Sequence, residues 1–151
     1  MGKRDTFWSS LPRDESGDID WPNNNDDRSA MAADIVGARI IGAVEAALET
    51  RLKMVAGDAA DTDPTDYGDV LSTLSDEQKT AVADLLRDVS FGSLYWMLVK
   101  LRDCPSLAVD ISLEPWQNDQ ALQRVQLTDE SELHHWYFDW MEKFSEYPAE
   151  Q

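Results

Sequence analysis

Cysteine is nearly missing. Cys104 stands alone, which excludes an intramolecular disulfide and any zinc site built on paired thiolates. Histidine is almost as scarce: the two residues present, His134 and His135, are neighbours. A serine-nucleophile triad needs a histidine placed between a nucleophile and a carboxylate, and neither His shows such a pairing in the sequence. There is no G-x-S-x-G elbow, no G-x-x-x-x-G-K-[ST] phosphate loop, no G-x-G-x-x-G turn and no H-E-x-x-H metal motif. Long apolar runs are missing too. The longest, LYWMLV at 94–99, is far short of the roughly 20 residues that span a bilayer. The opening stretch MGKRDTFWSS has no apolar segment of the secretory kind, so a cytoplasmic location is the expectation.

Positive charge is the last scarcity. Thirteen Lys and Arg face thirty Asp and Glu, a formal net charge of −17. The excess is spread along the chain: residues 1–74 hold fifteen acidic and seven basic side chains, and residues 75–151 hold fifteen and six. Such a surface repels nucleic acid and anionic membrane and attracts a basic protein. With so many carboxylates, acidic pairs such as DID and DTD arise from composition and carry no catalytic meaning by themselves.

What is present suffices for a core. The 151 residues are 42% apolar and include six Trp, enough for one domain without metal or disulfide staples. Residues 1–27 combine turn formers and prolines with Phe7, Trp8, Leu11, Ile19 and Trp21. They read as an irregular arm that lays its rings on a body formed by 28–148. A long helix is expected at about 28–56, capped by Asp26 or Asp27 and ended by Gly57. Its apolar arc runs through Val36, Ile40, Ile41, Val44, Leu48, Leu52 and Val55. Gly37 lies at the edge of that arc, where it permits a close helix crossing, and Arg51 falls inside it.

A second helix is expected at about 76–103, opened by Ser75 and Gln78 at capping-box spacing. Val82, Leu85, Leu86 and Val89 give it one apolar stripe. After Gly92, which is expected to kink or split it, Leu94–Val99 is apolar on all sides and belongs in the protein's middle. SLAVDISLEP alternates like a strand with one wet face, and ALQRVQL is its expected return, a hairpin within 106–127. A third helix is expected at about 130–146. The architecture is therefore mainly α (α+β): three principal helices, a small antiparallel β-hairpin and the irregular arm.

The stretch ELHHWYFDW at 132–140 invites a metal or acid–base reading. On a helical wheel Leu133, Trp136, Tyr137, Trp140, Phe144 and Tyr147 share one face, a core-docking stripe of rings. His135 falls opposite, among Asp139, Glu142 and Glu146. Adjacent histidines diverge by about 100° on a helix and cannot chelate one ion together. The acidic loop at 58–69 fails the EF-hand spacing, because Thr65, Asp66 and Ser72 stand where a ligand, Gly and Glu are required. No metal site and no cofactor is expected. Phe138 lies outside the ring stripe and is a candidate anchor for a partner.

These features favour a non-catalytic acidic binding protein that neutralises or regulates a basic partner, as immunity proteins and antitoxins do. The candidate contacts are Asp61, Asp63, Asp66 and Asp69 in the loop, and Phe138, Asp139, Glu142 and Glu146 on the last helix. The competing readings are a metal-dependent or acid–base enzyme joining His134 or His135 to distant carboxylates, and a homo-oligomer that buries Trp8, Trp21, Trp116 and Phe138.

Overall fold

The computed structural model describes residues 1–58, 67–102, 111–117, 119–126 and 133–147, the side chains of Arg102, Leu133 and His134 excepted. Among them the chain forms α1 (Lys3–Ser10), α2 (Asn25–Ala56), α3 (Gly68–Ser72), α4 (Asp76–Arg102) and α5 (Leu133–Phe144). The strands are β1 (Ser112–Leu113), β2 (Trp116–Gln117), β3 (Gln120–Ala121) and β4 (Val125–Gln126). The protein is mainly helical with a small antiparallel β region, as its periodicities predict.

The helix ends follow local chemistry. At the start of α2 the Asn24 carboxamide oxygen accepts the Asp26 N–H at 2.9 Å, so Asn24 is the cap. Asp26 and Asp27, expected to cap, instead lie in the first turn, where their charge complements the helix dipole. Gly57 ends α2 with φ 88, and the N–H of Asp58 closes back on the Lys53 carbonyl at 3.0 Å. Ser75 and Gln78 form the expected capping box: the Gln78 carboxamide accepts the Ser75 N–H at 2.9 Å, and the Ser75 hydroxyl accepts the Gln78 N–H at 3.3 Å. Ser75→Ala should therefore lower stability by about 1 kcal/mol, read as an earlier urea midpoint at unchanged slope.

The hairpin is interrupted once. Trp116 pairs with Ala121 and Gln117 with Gln120, then Leu113 with Val125 and Ser112 with Gln126. Two residues separate the pairs on the outgoing side and three on the return, which is a bulge. It falls at Pro115, which has no N–H for the ladder; its carbonyl still accepts the Leu122 N–H at 2.8 Å.

Contacts gather the chain into two compact units, residues 1–42 with 97–151, and residues 43–96. The first is built around α5, whose Tyr137, Trp140, Met141 and Phe144 are all buried. It meets α2 at Gly37, where an added Cβ would run into the Trp140 indole. Trp136 stacks on Trp140 at 6.2 Å, and Lys143 pairs with Asp34 at 2.7 Å. The second unit buries Leu48, Val55, Phe91 and Leu94.

The N-terminal arm differs from its expected form. Lys3–Ser10 is helical, although it lacks an apolar period and eight residues make a marginal helix alone. Docking supplies what propensity does not: Phe7 packs on Phe144 at 4.9 Å, and Arg39 lies over the Trp8 ring at 4.6 Å. Leu11, before Pro12, is extended and ends the helix. Beyond it the arm is pinned by hydrogen bonds. The Trp21 indole donates to the Trp116 carbonyl at 3.1 Å, and the buried Arg28 guanidinium donates to the Pro22 and Asn23 carbonyls, each at 3.0 Å.

Two expectations about α4 fail. It runs through Gly92 unbroken, because a helix tolerates one glycine at a cost of about 1 kcal/mol relative to alanine. Its apolar content is not all interior either: Trp96 and Met97 are 59% and 52% exposed.

Candidate interaction surface

The outer face of α5 is set by the inner one. Because Tyr137, Trp140 and Phe144 turn into the core, positions 135, 138, 139, 142 and 146 turn outward, and all five are exposed. Burial pushes the Tyr137 phenol above its ordinary value, so that ring belongs to the packed side as a neutral group. Phe138 is 54% exposed and meets Tyr137 edge-on at 5.3 Å. Glu142 follows one turn later on the same side, with Asp139 flanking. A large ring beside two carboxylates can fill an apolar pocket while its neighbours select a cation.

Glu146 has a structural engagement. Its carboxylate accepts the Lys3 backbone N–H at 2.6 Å, at the N-terminus of α1. In return Lys3 Nζ donates to the Glu142 carbonyl at 3.0 Å and Arg4 to the Phe144 carbonyl at 3.2 Å. The open N–H groups of α1 and the open carbonyls of α5 thus satisfy each other's needs through side chains. Buried Ser145 adds to the closure, its hydroxyl donating to the Tyr147 carbonyl at 2.9 Å. Glu146→Ala should speed amide exchange across Lys3–Ser10 while leaving α2 unchanged; equal protection in both proteins would deny the carboxylate this role.

Asp69 is exposed in the first turn of α3, while Asp61, Asp63 and Asp66 lie outside the described residues. His135 is exposed on the outer side of α5, and the side chain of His134 lies outside the description. Among the described residues no three His, Cys, Asp or Glu side chains gather as metal ligands, and no helix is long and apolar enough to cross a membrane. Trp8 and Trp21 are engaged within the chain, whereas Trp116 keeps 57% of its surface exposed. The sequence reading missed one surface, on α4, where Leu85, Val89 and Trp96 are exposed rather than packed.

No protein-family model, curated protein or solved structure matches the chain.

Proposed function

We propose that the chain is a non-catalytic acidic binding protein that neutralises or regulates a basic protein partner, in the manner of an immunity protein or antitoxin. The observation that carries this reading is Phe138, exposed on the outward face of α5 beside the carboxylates of Asp139 and Glu142, in a chain of net charge −17. Net charge of that size steers a cationic partner in and keeps nucleic acid and anionic membrane away. A buried ring then supplies the short-range energy that charge alone does not. Asp69, with Asp61, Asp63 and Asp66 near it in sequence, adds to the charge that attracts such a partner.

The test is a pull-down from native lysate at low and high salt, with wild type, Phe138→Ala and the pair Asp139→Lys/Glu142→Lys. A single basic protein retained at low salt, released at high salt and lost with both variants supports the reading. Retention that is indifferent to these variants removes α5 from it, and the absence of any specific protein leaves the acidity as a solubility device. Glu146 is left intact because its carboxylate holds α1. A homo-oligomer through Trp116 and Phe138 is the second reading, favoured by their exposure; a mass that rises with concentration in sedimentation would select it.

A further inference from the structure

An exposed apolar row on α4 does not depend on the function proposed for α5. Leu85, Val89, Gly92 and Trp96 recur at i, i+4, i+7 and i+11. At about 100° and 1.5 Å per residue they fall within about 60° of one another and span about 16 Å. Leu85, Val89 and Trp96 are 60%, 56% and 59% exposed. Single exposed apolar residues are ordinary, but a contiguous row on one helix face marks a contact surface. Gly92 deepens the row: a Cβ built there meets nothing within 4 Å, so the stripe has a notch between Val89 and Trp96 that admits a side chain from outside.

Charge decides the occupant. Asp84 and Asp88 are exposed along one edge of the stripe. Residues 43–96 as a whole hold eleven acidic and four basic side chains, and Arg87 is already bonded to Asp84 at 2.6 Å. A second copy of the chain would bring the same carboxylates against one another, under a net charge of −17 on each side, which opposes association. A helix with leucine-sized knobs on one face and Lys or Arg along its border meets both the row and its edge. We infer that the Leu85–Val89–Trp96 face of α4 docks an amphipathic helix with basic flanks, seating one of its apolar side chains over Gly92.

The test is calorimetric titration of the full chain with an amphipathic Leu/Lys peptide of about five turns, and with its Leu/Glu twin of identical apolar face. Wild type is expected to bind one Leu/Lys peptide. The pair Leu85→Gln/Val89→Gln, which changes only exposed positions and keeps the charge, is expected to weaken binding at least tenfold. Phe138→Ala should leave it within twofold, separating this surface from that on α5. The Leu/Glu twin should not bind measurably. Circular dichroism checks that the double variant is folded, and Leu85→Ser alone provides a milder probe if it is not. Absence of Leu/Lys binding, equal binding to the double variant, or equal binding of both peptides would overturn the inference. So would a wild-type dimer in sedimentation that the double variant dissolves, since the occupant would then be a second copy.

Discussion

Trp140→Ala is expected to lower the unfolding free energy by about 3–5 kcal/mol, the range for removing a buried large aromatic. Total domain stability is only about 5–15 kcal/mol, so the variant should be unfolded in part or unfold at much lower urea. The ring is 2% exposed, lies on Gly37 and stacks on Trp136, so its loss opens a cavity between α5 and α2 that neither helix backbone fills by itself. The indole N–H is buried and has no hydrogen-bond partner among the described residues. The value of this residue is therefore in its packed carbon surface, and its polar atom is a cost. Trp140→Phe deletes that donor and keeps part of the ring, so it should cost clearly less than Trp140→Ala. Urea midpoints at constant slope measure both; equal losses for Phe and Ala would mean that the indole is held by a bond rather than by packing.

Gly37→Ala is the second large effect, and its sign depends on the first. In a helix interior alanine is favoured over glycine by about 1 kcal/mol. At Gly37 the new methyl would run into the Trp140 Cδ1, and a buried ring packed against the helix has little room to yield. Overpacking typically costs about 1–3 kcal/mol and occasionally more, so the net change in the wild-type background is a loss. With Trp140→Ala already in place the obstacle is gone, and Gly37→Ala should become neutral or favourable by up to about 1 kcal/mol. A double-mutant cycle across the four proteins reads this coupling directly. Identical effects in both backgrounds would show that the close approach is not what keeps glycine there.

The close approach was legible in the sequence. The ring spacing from Trp136 to Tyr147 announced a buried face, and Gly37 stood at the border of the apolar arc of α2, so a tight crossing followed from two periodicities. Phe138 was legible as an outward ring for the same reason. The capping box at Ser75 and the stop at Gly57 rest on chemistry within a few residues, which a sequence displays in full. Helix α1 was not legible, because KRDTFWSS carries no apolar period and what holds it is on Glu142, Phe144 and Glu146 at the other end of the chain. The exposed stripe on α4 misled for a different reason. Periodicity says which residues share a face, and Leu85 and Val89 do; it does not say whether anything packs against that face. For Gly92 propensity suggested a break, but one glycine costs only about 1 kcal/mol, and buried Phe91, Leu94 and Leu98 hold the helix through it.

The pairing of α1 with the end of α5 also orders events in time. Lys3 bonds to a residue 143 positions away, so α1 leaves the ribosome well before the residues that seat it. At about 5–20 residues per second, that interval is roughly 7–30 s, during which an eight-residue helix without a partner does not persist. The arm therefore emerges as unstructured chain with Phe7, Trp8 and Leu11 uncovered, and it folds only once α5 has followed it out. Nascent chains expose these rings to chaperones throughout that interval, and completion of α5 is the step that hides them.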